Sequence, residues 1–218
     1  MTDFPNKQSI WASHIYCFKD ENYSSKKEKL ITHAYDLKSK GKASGVADVA
    51  KKNLFESKFD FFNYDLQVIQ ELKLFCEESL MTVVKDVNQY DDDFISKLAP
   101  DLRESWVHIT NNNGYHDAHK HLNTSWGGIY YLEAGECGEI VDEDGISRMN
   151  GTNRFYSPIQ YFCLDPSMQY LRHDVVDISP ENGILVIFPA YLLHSATPYM
   201  GKTDRVVVSF NSVINQRT

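Results

Sequence analysis

The chain has 218 residues, 22 Lys+Arg against 30 Asp+Glu, and a formal net charge of -8. Hydrophobic residues make up 42% and aromatics 13%, which excludes wholesale disorder and permits a sizeable core without disulfide staples. The acidic balance, with no basic stripe, argues against a nucleic-acid-binding face.

The N-terminus has no basic segment followed by an apolar one, so a signal peptide is not expected. The longest apolar run, residues 184–193, is interrupted by Pro189 and is too short to cross a membrane. Cys17, Cys76, Cys137 and Cys163 are scattered with no CxxC, so ordinary burial is the expectation for all four. These features together suggest a reduced, cytoplasmic protein.

In chain order, the patterns are helical up to about residue 103. Ser24 and Ser25 precede a segment whose Leu30, Ile31, Ala34, Tyr35 and Leu37 form an apolar stripe, with Gly41 as a stop. Asp65 precedes a second and longer stripe: Leu66, Ile69, Leu72, Phe75, Cys76, Ser79, Leu80 and Val83. Its carboxylate is placed to accept from the free amides of the first turn. A short helix is expected over Asp91–Leu98. From residue 104 the chain reads as short strands bounded by Gly, Pro, Asn and Asp. The candidates are Trp106–Thr110, Ser125–Leu132, Gln160–Leu164, Asp174–Ile178, Ile184–Phe188 and Arg205–Val213. No helix-length pattern intervenes, which predicts an antiparallel sandwich or jelly roll. The chain is thus expected to be one domain over 1–218, with 1–103 a mainly helical support packed on one face of a β core over 104–218. The polar stretch Gly135–Pro158 is expected to be a long loop and a candidate lid, with Arg154 among its substrate-contacting candidates.

Eight histidines are present, and His108, His116, His119 and His121 fall within fourteen positions. His119 and His121 are two apart, so on an extended chain both rings project to one side and one metal ion can meet both. His194 follows the apolar strand at 184–189, and Arg205 opens the final strand eleven residues later. Arg205, Val207, Ser209 and Asn211 share one face of that strand, and Val206, Val208 and Phe210 share the other. A buried Arg, Ser and Asn on one face call for a polar ligand, and a guanidinium forks onto a carboxylate. His14, His33 and His173 read as structural or exposed. His108 reads as either barrel-lining or a hydrogen-bonded core histidine, and Trp11 and Trp106 as core.

This layout resembles the iron(II)- and 2-oxoglutarate-dependent oxygenases, which are built on a double-stranded β-helix. It is most similar to a family of bacteria and phages near the prolyl-hydroxylase-like branch. The likeness is carried by Asn113-Gly114, His119-Lys120-His121, Trp126 through Leu132, Tyr161 through Pro166, Pro180 through Pro189, His194, and Arg205 through Asn211, with a weaker stretch at Asn53–Ser57. The resemblance implies His119 and His194 as iron ligands and Arg205 as the group holding the distal carboxylate of 2-oxoglutarate. Tyr130, Ser209 and Asn211 would help to bind the cosubstrate, and Asn113, His116 and Trp126 would lie toward the substrate. His121 stands where the superfamily pattern His-x-Asp/Glu has its carboxylate, so the third ligand is either His121 or water, with His121 preferred. The implied activity is hydroxylation of an unactivated C–H bond in an amino acid, peptide or small metabolite. The cofactors are Fe(II), 2-oxoglutarate and O2, and the co-products are succinate and CO2. The alternatives are a cupin-like metalloprotein working without 2-oxoglutarate and a non-enzymatic β-sandwich binding module.

Overall fold

The computed structural model describes residues 12–45, 51–141, 144–158 and 174–217. The elements run β1 (Tyr16–Lys19), α1 (Tyr23–Ser39), β2 (Lys51–Glu56), a 3-10 turn (Phe61–Asn63), α2 (Gln67–Asn88), α3 (Asp92–Ser96), β3 (Leu98–His119), β4 (Trp126–Glu133), β5 (Gly138–Val141), β6 (Ser147–Asn150), β7 (Asn153–Tyr156), β8 (Val175–Ile178), β9 (Ile184–Pro189), β10 (His194–Tyr199) and β11 (Arg205–Gln216). The main sheet has the order β1-β9-β4-β11-β3-β10-β7-β8, with β2 also paired to β3, while β5 and β6 form a separate hairpin. All named pairings are antiparallel. The result is a jelly roll with helices on one face.

β3 belongs to both halves of the roll. Its first part, 98–110, pairs with β11, and its last part, 114–119, pairs with β10. The corner between them is made by Asn112 and Asn113, both left-handed with φ 52 and 59, a conformation that Asn tolerates better than most residues. Gly114 completes the corner. A Cβ there would lie 2.3 Å from the carbonyl oxygen of Asn53 and 2.6 Å from Cγ2 of Thr110, so only Gly fits.

Two-residue alternation along the strands divides the buried side chains into two sets. Tyr130, Leu132, Leu185, Ile187, Val206, Val208 and Phe210 face the helices and pack with Leu30, Ala34, Ile69, Leu72, Cys76 and Leu80. Ile129, Tyr131, Val186, Phe188 and Val207 face into the roll and pack with Phe155 and Leu192. Each fully buried side chain of this kind contributes about 1.5–3 kcal/mol. A charged cluster ties the helical layer to the sheet. Lys26 Nζ lies 2.6 Å from Asp20 Oδ2, and the Tyr130 hydroxyl donates to that same oxygen at 2.9 Å.

Several expectations change. The region before 104 also contains strands, β1 and β2, which are short and add to edges of the sheet. α2 is not capped by Asp65: its N-cap is Leu66, with no side-chain cap, whereas Asp91 does cap α3 by accepting from the amide of Phe94. The histidine segment, left between the expected strands Trp106–Thr110 and Ser125–Leu132 where a loop would fall, is itself strand as far as His119, because β3 runs on to that residue. The stretch 135–158 is not a loop either, since it holds three strands, and β7 lies in the main sheet. Its hairpin is anchored near the C-terminal end of β10, where Asn150 Nδ2 donates to the carbonyl of Met200 and accepts from the Met200 amide through Oδ1. Cys17 is exposed rather than buried, while Cys76 is buried and Cys137 half-buried, and all three are free thiols. The expected strand Gln160–Leu164, and Trp11, Cys163 and His173, lie outside the described residues. No described helix is long and apolar enough to cross a membrane.

Candidate metal centre

Two strand ends and one turn bring three imidazoles together. His119 ends β3 and is the register partner of His194, which begins β10. His121 lies just beyond the strand and is held by its amide, which donates to the carbonyl of Ala190 at 3.2 Å. Among the described residues, His119, His121 and His194 form a group that could hold a metal ion, with candidate ligand atoms within 4.8 Å of one another. The rings of His121 and His194 are parallel, their centroids 5.0 Å apart, and their Nε2 atoms are separated by 3.2 Å. Phe155 and Phe188 pack against His194 and keep that side dry.

The main chain orients two of these rings. Nδ1 of His119 lies 2.8 Å from the carbonyl of Asp117, and Nδ1 of His194 lies 3.0 Å from the carbonyl of Leu192. A carbonyl only accepts, so each Nδ1 carries the proton and each Nε2 keeps its lone pair for a ligand. Burial, reinforced by the nearby His119, lowers the pKa of His121 to about 4 and that of His194 to about 3. Both are therefore neutral at ordinary pH, the state a metal requires.

The other end of the cleft is built around Arg205, which is 2% exposed. Its Nη2 donates to Asn153 Oδ1 at 2.6 Å, and the Tyr131 hydroxyl donates to the same oxygen at 2.7 Å. The guanidinium carbon sits 5.5 Å from the Tyr131 ring centroid. Arg205 Nε and the hydroxyl of Thr110, its register partner on β3, are buried without hydrogen bonds. No carboxylate among the described residues pairs with this guanidinium. A buried charge with an unsatisfied N–H is costly unless an anion completes it, so the arrangement suits a carboxylate ligand.

One open cleft joins these two ends. Its wall includes Trp106, His108, His116 and Ser209. His116 stacks on His119 with ring centroids 3.9 Å apart. Nε2 of His108 lies 2.8 Å from Glu56 Oε2 and 3.0 Å from Trp106 Nε1; a carboxylate only accepts, so the Nε2 proton is directed to Glu56. His108 is thus both barrel-lining and hydrogen-bonded.

The expected residues are sorted unevenly by the structure. His119, His121, His194, Arg205, Ser209 and His116 all reach one cleft. Tyr130 does not: it faces the helices and bonds to Asp20, because even-numbered positions of β4 point outward. Trp126 follows the same parity and packs on the helix-side core. Asn113 serves the β3 corner and is exposed. Arg154 is committed to Asp177 of the adjacent β8 through two bonds of 2.9 Å each. Asn211 lies beyond the metal end and donates to Glu104, well away from Arg205 along β11. Tyr131, Trp106 and Glu56 were not expected there, and Asn153, a candidate for substrate contact in the 135–158 stretch, instead bonds to Arg205 and Tyr131. Strand parity alone could have exchanged Tyr130 for Tyr131, whereas Glu56 and Asn153 are brought in by pairings with no local signal.

The donor sets match the groups they would hold: three imidazoles suit a divalent first-row metal, and a guanidinium with no carboxylate partner among the described residues suits a carboxylate ligand. A jelly roll with both at opposite ends of one cleft defines a mononuclear metal enzyme that takes an anionic cosubstrate. Residues 104–211 match a family model described as "Putative 2OG-Fe(II) oxygenase". Among solved structures, the chain is similar to a prolyl hydroxylase of Trichoplax adhaerens in complex with a hypoxia-inducible-factor peptide, at 14% identity and TM-score 0.54, covering 91% of this chain and 82% of that one. HygX of Streptomyces hygroscopicus, with nickel, 2-oxoglutarate and hygromycin B bound, gives 12% identity and TM-score 0.56 over 92% of this chain and 82% of that chain. The epimerase SnoN from nogalamycin biosynthesis, in complex with Fe3+, alpha ketoglutarate and nogalamycin RO, gives 11% identity and TM-score 0.60 over 94% and 82%. A comparison with curated proteins finds no match. The chain belongs to the iron(II)- and 2-oxoglutarate-dependent oxygenases. Its cofactor and cosubstrates are accordingly Fe(II), 2-oxoglutarate and O2.

Proposed function

We propose that this oxygenase hydroxylates an unactivated C–H bond of an amino acid, peptide or small metabolite, with His119, His121 and His194 as the iron ligands. The observation that carries the reading is the buried Arg205, which has no carboxylate partner among the described residues, in the same cleft as the imidazole triad. Bound iron supplies the oxidising chemistry, so that R–H, 2-oxoglutarate and O2 yield R–OH, succinate and CO2. The chain's own part is placement and exclusion of water. Arg205 takes the distal carboxylate, with Ser209 on the cleft wall between it and the metal. Tyr131 takes the supporting position expected of Tyr130, one residue along on the correct face, and Asn153 fixes both groups. Phe155 and Phe188 keep water from one side of the triad, and His116 holds the plane of His119.

The substrate classes are supported by neighbours of this fold whose complexes contain a peptide in one case and hygromycin B in another. The free thiols Cys17, Cys76 and Cys137 support a reducing, cytoplasmic setting, and the net charge of -8 supports a substrate other than nucleic acid.

The test is anaerobic addition of Fe(II) and then 2-oxoglutarate, followed by visible absorption. A charge-transfer band that needs both is the expected result, and its absence from the wild type sinks the reading. Arg205→Ala should weaken 2-oxoglutarate binding by at least about a hundredfold, since it removes a buried charge-assisted pair, while leaving metal affinity largely intact. Equal loss of both would remove Arg205 from the role assigned.

A further inference from the structure

We propose that His108 is a substrate-binding residue of this oxygenase: its Nδ1 accepts a hydrogen bond from an N–H or O–H of the substrate, and Glu56 is the positioning residue that fixes the imidazole for it. The inference rests on the proposed function above and deepens it, by assigning a substrate that carries a hydrogen-bond donor.

Position is the first support. Trp106, His108 and Thr110 share the inward face of β3. Trp106 stacks over His121 with ring centroids 6.1 Å apart, and Thr110 is the register partner of Arg205. His108 therefore stands between the metal end and the anion anchor, on the cleft wall. The anchor leans the other way: Arg205 bonds to Asn153 of β7, and Asn153 to Tyr131 of β4. His108 is tied instead to β2, whose Glu56 is its register partner. The anchor for the keto acid and His108 thus lie on different flanks, and the β2–β3 flank is left for the substrate.

Chemistry is the second support. Glu56 is 7% exposed and His108 is 8% exposed. Burying a carboxylate and an imidazole carries a desolvation cost that apolar side chains at the same place would avoid, and neither the metal nor the keto acid accounts for this pair. Glu56 Oε2 is 2.8 Å from His108 Nε2, and Trp106 Nε1 is 3.0 Å from the same nitrogen. The carboxylate contact is the shorter and is charge-assisted, so it decides where the proton goes. Nε2 carries it, and in the neutral ring Nδ1 keeps the lone pair. That is the reverse of His119 and His194, whose Nδ1 protons go to main-chain carbonyls and leave Nε2 for a metal. His108 is thereby unsuited to ligate through Nε2 and suited to accept a hydrogen bond. His116 meets its ring edge-on, with centroids 5.9 Å apart, and limits its rotation.

The experiment uses the full-length protein with 2-oxoglutarate and redox-silent Zn(II) in place of iron. The probe is methylammonium, which offers N–H donors; the control is tetramethylammonium, which has the same charge and offers none. In wild type, nitrogen NMR should show His108 as the neutral Nε2–H tautomer. Methylammonium should shift its Nδ1 resonance with the millimolar affinity expected of so small a probe, and tetramethylammonium should not. Glu56→Leu removes the carboxylate with little change in volume. It should bring in the Nδ1–H form and weaken methylammonium binding by up to about tenfold, the loss of one hydrogen bond. Glu56→Gln keeps an acceptor and should keep the wild-type tautomer. An Nδ1–H or doubly protonated ring in wild type would overturn the proposal, and so would an equal response, or none, to the two cations; neither result depends on a variant folding. The charge-transfer band with Fe(II) and 2-oxoglutarate separates the two levels. Its absence from wild type removes the function itself, whereas a normal band beside a failed NMR result removes only the role of His108. Loss of the band in Glu56→Leu alone would assign the pair to the cosubstrate and overturn the proposal as well.

Discussion

Tyr130 and Tyr131 are neighbours in sequence and face opposite sides of β4. Tyr130→Phe removes one bond to Asp20; it should cost about 1 kcal/mol of stability and leave 2-oxoglutarate affinity unchanged. Tyr131→Phe removes the bond to Asn153 beside Arg205 and should weaken 2-oxoglutarate binding several-fold. Equilibrium binding together with urea unfolding reads both outcomes, and the reverse pattern would mean the parity of β4 has been assigned wrongly. The histidines give a pH prediction for the metal-free protein. Burial holds His121 near pKa 4 and His194 near pKa 3 in the fold, while the unfolded chain titrates near 6.5. Below about pH 6.5 the unfolded state therefore takes up protons that the folded state refuses, and stability falls as pH drops toward 4. The loss should be of the order of a few kcal/mol between pH 7.5 and 4.5, read from urea midpoints. A flat profile would contradict the buried, neutral state of the two rings.

At the level of elements, the helical layer is joined to the roll by a buried charge pair, Asp20 with Lys26, together with the hydroxyl of Tyr130. Removing one member leaves the other charge buried and unpaired, so Asp20→Ala should cost roughly 3–5 kcal/mol. Thermal unfolding checks this, and a loss below about 1 kcal/mol would show that water reaches Lys26. The elements that could be read from sequence are those whose own periodicity declares them. α1 and α2 carry complete apolar stripes, and β4, β9 and β11 are dense in Val, Ile, Phe and Tyr. β1 and β2 escaped because they are short edge strands whose identity comes from β9 and β3. The histidine segment looked like a loop because Asn111–Gly114 has turn composition, yet those residues form a corner within one continuous strand. In the site, the HxH pair, His194 and Arg205 were legible from spacing and from the cost of burying polar groups. The two Trp roles were interchanged: Trp106 lines the cleft and Trp126 packs outside it. Composition does not reveal a strand's inward parity, which is fixed only once the partners on both sides are known. Glu56 and Asn153 enter through β2–β3 and β7–β10 pairing, contacts that no local pattern announces.

For the whole molecule, a ligand that binds only the folded state raises its stability by mass action. Metal at about a hundred times its dissociation constant should add about 2.7 kcal/mol, a rise of roughly 5–10 °C in Tm for a chain of this size, and chelator should reverse it. An unchanged Tm would indicate that no metal engages the triad. The corner at Asn112–Gly114 has a consequence of another kind. The strand that passes Thr110 beside Arg205 turns there and comes back to end at His119, so one bend fixes the span between the anion anchor and the metal. The fold thereby carries a length gauge for its keto acid. Oxaloacetate, one carbon shorter, and 2-oxoadipate, one carbon longer, should each bind about 10–200-fold more weakly than 2-oxoglutarate. A residue inserted at the corner should move that optimum in chain length before it abolishes metal binding.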